Sequence, residues 1–249
     1  MAKVAVVTGA GSGVGRAAAL SLLAGGYLVV LAGRRMEPLL ETVSLAGAND
    51  DNSLCVVADV SDEEAVDRLF AAAVMRFDRV DVLFNNAGIN VPSVPLAELS
   101  LANFQSVVDV NLVGMFLCMR GAFRVMQKQS PQGGRIINNG SISAYAPRPN
   151  SYSYTSTKHA VTGLTKTGSL EGRQYNIAVG QLDIGNAATP MAARMAKGVP
   201  QASGEIKAEP LMDVSYVGEA VRQTADLPLT VNMQFMTIMA TAMPFVGRG

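Results

Sequence analysis

The chain has 249 residues, 49% hydrophobic and 16% charged, enough apolar material for a sizeable core in one α/β domain. Lys plus Arg equal Asp plus Glu at 20 each and the pI is near 6.6, so there is no electrostatic footprint for nucleic acid or an anionic membrane. A single histidine, His159, rules out histidine-based triads and argues against a metal site, while two distant cysteines, Cys55 and Cys118, suit a reduced, cytoplasmic setting.

The N-terminus reaches a turn within eight residues, too early for a signal peptide. No apolar run is expected to approach the ~18 residues that cross a bilayer. Short β-branched runs alternate with longer helical stretches, which predicts a parallel sheet with crossover helices. Strands are expected near 3–8, 28–32, 54–58, 80–85, 134–138 and 176–182, with a last one near 233–239. The first strand runs into Thr8-Gly9-Ala10-Gly11-Ser12-Gly13-Val14-Gly15, and a helix should start near Gly13. Such a turn offers backbone N–H groups and a helix N-terminus to a pyrophosphate, with no Cβ to keep the phosphates away. A glycine-rich hairpin is the alternative, but Arg16–Leu23 reads as helix rather than strand.

At the end of the second strand an NAD site would carry an acid for the ribose 2′-hydroxyl. Here Gly33, Arg34 and Arg35 stand there. The missing acid and the guanidinium groups favour a 2′-phosphate, so NADP(H) is expected to be preferred over NAD(H). Arg34 would meet the phosphate and Arg35 the adenine face; two solvated arginines are the plainer alternative. Asp59-Val60 closes the third strand, and Asp59 would either accept the adenine amino group or cap the next helix. Ser61-Asp62-Glu63-Glu64 reads as a capping box for a helix to about Phe77. In Asn85-Asn86-Ala87-Gly88, small residues would let the backbone lie against the ribose while the asparagines tie strands together. Ser100 is expected to cap a long helix toward Met126, and another helix should run from about Tyr152 to Arg173.

That last helix carries Tyr154 and Lys158, four residues apart, and Ser141 lies thirteen residues before the tyrosine. Carbonyl reduction needs a proton donor at oxygen as hydride reaches carbon. Tyrosine has an unperturbed pKa near ~10, and lowering it by about three units takes roughly 4 kcal/mol of differential stabilisation. An ammonium one helical turn away, on the same face, supplies favourable charge. Ser141 would hydrogen-bond the substrate oxygen. Tyr152 has Ser156 rather than lysine at the same spacing and reads as a packing residue.

Thr8–Gly15, Asp59, Asn85–Gly88, Asn111, Ser141, Tyr154 and Lys158 stand in an order and spacing that resemble the short-chain dehydrogenase/reductase family, including its 3-oxoacyl-[acyl-carrier-protein] reductases. The resemblance spans essentially the whole chain. It implies a single-domain, Rossmann-like, doubly wound parallel sheet of about seven strands with helices on both faces. It also implies that Lys158 holds the nicotinamide ribose and that Asn111 holds a water linking Lys158 to solvent. A homotetramer built partly on a four-helix interface is expected, with a dimer as runner-up, and the apolar stretch Phe235–Val246 supports burial between copies. Where the family usually has Pro-Gly after the sixth strand, this chain has Asp183-Ile184-Gly185-Asn186. Gly185, Ala187 and Thr189 would still meet the carboxamide, whereas Asp183 and Asn186 read equally as structural groups or substrate contacts.

From 189 to 212 periodicity weakens among Pro190, Gly198, Pro200, Gly204 and Pro210, the mark of a substrate lid or a disordered insertion. Met191, Met195, Leu211 and Met212, with Asn90–Ser93 and Ala144–Asn150, are candidates to face a small-molecule substrate. Arg148 would receive an acidic group or sit exposed. The leading function is NADP(H)-dependent reduction of a 3-oxoacyl thioester or similar ketone. The alternatives are an NAD-dependent dehydrogenase of a small alcohol, polyol or sugar, an epimerase or dehydratase, and a non-catalytic cofactor-binding regulator.

Overall fold

The computed structural model describes residues 2–193 and 195–246. Val4–Thr8 (β1) is buried along its whole length, so both of its faces must be covered by other layers. Leu28–Gly33 (β2), Ser53–Val57 (β3), Val82–Asn85 (β4), Gly134–Asn139 (β5) and Ile177–Ile184 (β6) follow where the apolar runs lie. Val199–Pro200 (β7) and Ile206–Lys207 (β8) form a separate antiparallel pair, and Phe235–Ile238 (β9) returns to the main sheet. That sheet has seven parallel strands in the order β3-β2-β1-β4-β5-β6-β9.

The helices in chain order are Gly13–Ala24 (α1), Met36–Leu45 (α2), Glu63–Phe77 (α3), Leu101–Val108 (α4), Met115–Met126 (α5), Tyr152–Gly172 (α6) and Ser215–Asp226 (α7). Alternate strand residues point to opposite layers. Ala5, Val7, Val29 and Leu31 pack with Leu22, Leu39, Val217 and Val221, so α1, α2 and α7 cover one face. Val6, Val30 and Leu83 pack with Val66, Leu69, Phe70 and Met119, which brings α3 and α5 to the other. Each fully buried Leu or Phe contributes about 1.5–3 kcal/mol, so continuity of these two layers is the main source of stability.

Several local expectations need correction. Ser61 does not cap α3: its hydroxyl donates to Asp59 Oδ1 at 2.7 Å, and Asp62 takes the cap, accepting from Glu64 N at 2.9 Å. Ser100 does cap α4, accepting from Asn103 N at 3.2 Å. The long helix it opens contains a π turn over Asp109–Gly114. The stretch Leu101–Met126 is also long and apolar enough to cross a bilayer, with a mean hydropathy of 1.4, against the expectation that no segment would be. Half of its most apolar window is buried in the body, the pattern of a core helix. Helices α2 and α7 were not foreseen, because small or polar residues such as Thr42, Gly218 and Ala220 make up much of their buried faces. Tyr152 is half exposed rather than packed in the protomer. In the C-terminal stretch Ala240 and Met243 bury against Ile142, while Val246 is exposed.

Asp62→Ala should cost about 1 kcal/mol of stability in urea denaturation, as loss of an N-cap does, and Ser61→Ala should cost less.

Candidate active site

Strand order reverses at β1, whose neighbours β2 and β4 are reached by crossovers in opposite directions, leaving a crevice at the C-terminal strand ends. Thr8 closes β1 there. Its hydroxyl accepts from the N–H groups of Asn86 and Ala87, each at 2.9 Å, and its carbonyl accepts from Asn86 Nδ2 at 2.8 Å. Asn139 Nδ2 donates to Asn86 Oδ1 at 2.7 Å, so the ends of β1, β4 and β5 are tied through polar side chains.

The turn after β1 needs glycine for space and for backbone angle. Gly9 and Gly13 have φ of +68° and +51°, in the left-handed region. A Cβ on Gly9 would lie 2.9 Å from Asn86 Nδ2, and one on Gly13 would lie 3.2 Å from Thr189 Cγ2. The α1 N-terminus therefore opens onto a cradle free of side chains, a donor set and a shape that fit a pyrophosphate. Asp59 is positioned by Ser61, whose hydroxyl and N–H both donate to it. The hydroxyl bond, with the N–H bond and the Arg34 charge, holds the Asp59 carboxyl below its usual range against the opposing effect of burial. Asp59 does not cap α3, a role that Asp62 takes; it organises the turn before that helix.

One cavity of about 610 Å³ runs from this turn to α6. Its wall includes Gly9, Ser12, Gly13, Val14 and Gly15 of the turn, with Arg34, Arg35, Asp59 and Val60 beyond the ends of β2 and β3. Asn86, Ala87, Gly88, Gly185, Ala187 and Thr189 line the middle, and Ser141, Tyr154 and Lys158 the far end. Ser141 N donates to Asp183 Oδ1 at 3.0 Å, and its hydroxyl accepts from Ser143 N at 3.1 Å. Lys158 is buried; its Nζ donates to Asn139 O at 2.6 Å and lies 5.6 Å from the centre of the Tyr154 ring. Burial pushes the Lys158 ammonium down to about 8, with the Asp183 charge acting in the other direction.

Asn111 is not on the cavity wall. Its amide sits in the π turn, donating to Ile89 O and accepting from Ile89 N at 2.8 Å. Asn90 and Ser93 reach the cavity, as do Met191 and Met195 of the 189–212 segment, in which residue 194 lies outside the described residues. Met212 instead packs against Ile142 and Met243, and neither it nor Leu211 lines the cavity.

Arg148 lines the cavity but is not an exposed loop arginine. It forms an ion pair with Glu209 in which the two side chains are 14% and 1% exposed, a pairing that sequence separation hid. Glu209 Oε2 also accepts from Asn186 Nδ2 at 2.7 Å and its Oε1 from Gln201 at 3.0 Å. Burial alone would push the Glu209 carboxyl up; the Arg148, Gln201 and Asn186 bonds outweigh it and hold it at about 2. Asn186 and Asp183 thus both make side-chain hydrogen bonds within the body, and Asn186 also lines the cavity.

The family model described as short chain dehydrogenase matches residues 3–199. The chain is 32% identical to levodione reductase of Leifsonia aquatica, over 98% of this chain and 93% of that protein. It is 37% identical to a 3-oxoacyl-[acyl-carrier-protein] reductase of Synechocystis over 76% of each. Among solved structures, the Brucella melitensis 3-ketoacyl-(acyl-carrier-protein) reductase complexed with NADH superposes with a TM-score of 0.83 at 28% identity, covering 96% of both chains.

Glu209→Ala should lower stability by about 3–5 kcal/mol, read by thermal or urea unfolding, because it leaves the Arg148 charge buried without its partner. In the unaltered protein the Glu209 contribution should be full above pH 4.5 and fade as pH falls toward about 2.

Proposed function

This chain belongs to the short-chain dehydrogenase family, NAD(P)-dependent oxidoreductases acting on CH–OH groups, and from that premise we propose that it is an NADP(H)-dependent ketone reductase using Ser141, Tyr154 and Lys158. The observation that carries this reading is the single cavity joining the glycine turn to the Tyr154–Lys158 face of α6. When bound, NADP(H) supplies the hydride. The α1 N-terminus and Ser12 receive its pyrophosphate, Arg34 its 2′-phosphate, and Arg35 the adenine. Asp59 and Val60 flank the adenine, Asn86–Gly88 the ribose, and Gly185, Ala187 and Thr189 the carboxamide.

Tyr154 donates its proton to the carbonyl oxygen, with Ser141 bonded to the same oxygen. Lys158 holds the nicotinamide ribose and stabilises the phenolate that remains. Asn111 completes the relay from the π turn, where it fixes the Ile89 loop beside the cavity. The substrate is a 3-oxoacyl thioester or a similar ketone that is neutral at the reacting end. Of the cations lining the cavity among the described residues, Arg148 is the one near the substrate end beside Lys158, and Glu209 already neutralises it. Residues 189–212 act as a lid on what is otherwise one domain. Exposed Leu101, Phe116 and Leu170 on the outer helices favour assembly with further copies, as a tetramer. An NAD-dependent dehydrogenase of a small alcohol is the second reading, favoured by the NADH in the Brucella structure.

Kinetics with NADPH and NADH over a panel of 3-oxoacyl thioesters, cyclic diketones and keto sugars test this. Arg34→Ala should raise KM for NADPH on the order of 10- to 100-fold, as loss of a charge-assisted bond does, and change NADH little. Equal losses with both would overturn the NADP(H) preference. The reductive rate should fall above about pH 8, where Lys158 gives up its proton.

A further inference from the structure

Asp183, the next-to-last residue of β6, is fully buried, yet no step above uses it. Its Oδ1 accepts from Ser141 N at 3.0 Å and from Gln181 Nε2 at 2.7 Å, and its Oδ2 accepts from the Tyr145 hydroxyl at 2.9 Å. Gln181 carries the network onward to α6: its Nε2 donates to Thr162 Oγ1 at 3.1 Å, and its Oε1 accepts from Thr165 at 3.0 Å. One buried carboxylate therefore links the residue that bears the Ser141 hydroxyl to the helix that bears Tyr154 and Lys158.

The neighbouring backbone is shaped around it. A Cβ at Gly140 would lie 2.0 Å from Asp183 Oδ1 and 2.7 Å from Gln181 Nε2, so glycine at 140 and the acid at 183 occupy one space between them. Among the described residues the titratable groups that interact with Asp183 include Tyr145 after β5 and Lys158 on α6, the helix that also carries Tyr154 and His159; β9 places Thr237 beside it in register. Burial, and then the bond to Asp183, push the Tyr145 phenol up to about 12, so it remains a proton donor throughout the working range. Lys158 is buried and donates to the Asn139 carbonyl, and the Asp183 charge favours its ammonium form against burial.

We propose that Asp183 is a positioning residue of the reduction: its buried carboxylate fixes Ser141 through the backbone, ties it through Gln181 to the helix that bears Tyr154 and Lys158, and sets a negative charge against the buried Lys158 ammonium. This rests on the reductase reading above. An apolar residue at 183 could not accept from Ser141 N, Gln181 or Tyr145. The Gly140 space shows that the arrangement needs two positions to match.

Asp183→Asn keeps the shape and an acceptor oxygen while removing the charge. Removing a negative charge lets the buried Lys158 ammonium release its proton more easily. The alkaline limb of the reductive kcat should therefore move to lower pH by about one unit, with KM for NADPH changed less than about threefold. Gly140→Ser combined with Asp183→Ala refills the space without the charge, and should show the same displacement with near-native thermal unfolding. Gly140→Ser alone should unfold at lower temperature than the double variant. An unmoved alkaline limb in either folded charge-free variant, with turnover still abolished by Tyr154→Phe, overturns the proposal and leaves the reductase reading intact. Native turnover in Tyr154→Phe removes the reductase reading, and this proposal with it.

Discussion

Thr8 sits where the order of the sheet reverses, and the geometry of the cleft depends on how its polar atoms are satisfied. Thr8 closes β1 with a hydroxyl in a fully buried place, which is costly unless that hydroxyl is bonded. Asn86 and Ala87 supply the partners, and Asn139 then bonds Asn86. Those few bonds bring the strand ends together so closely that the following turn can only be glycine where it faces Asn86. The cradle for a phosphate is thus a consequence of closing the crevice.

At the other end of the cavity the governing problem is charge in a buried place. Lys158 has little solvent, and burial works against its ammonium form. Arg148 and Glu209 solve the same problem by pairing and by recruiting Asn186 and Gln201. The pair also ties the segment after β6 to the loop between Ser141 and Tyr154. The altered loop Asp183–Asn186 is therefore a place where two buried networks are anchored, and proline's fixed φ is replaced by side-chain hydrogen bonds as the restraint.

The seven strands of the main sheet and the cleft were legible in the sequence because their signals are local, whereas the two-residue pair β7 and β8 was not. Apolar runs such as Val4–Val7 mark buried parallel strands, and the spacing from Thr8 to Gly15 or from Tyr154 to Lys158 is set within one turn of backbone. Helices α2 and α7 escaped because their buried faces hold small or polar residues, which periodicity counts as noise. The cap of α3 was misplaced by one residue because Ser61 had a competing acceptor in Asp59. Arg148 and Glu209 are separated by 61 residues, and no local pattern joins them. The same holds for Asp183, whose partners Ser141 and Tyr145 lie 42 and 38 residues earlier in the segment after β5.

The most direct test of the central claim is to follow deuterium from the nicotinamide C4 of deuterated NADPH into a reduced ketone by mass spectrometry, with the unaltered protein and with Tyr154→Phe. The account predicts one deuterium on the former carbonyl carbon, with the rate of its appearance falling by orders of magnitude in Tyr154→Phe while NADPH still binds. Product without deuterium, or an undiminished rate in Tyr154→Phe, would contradict it.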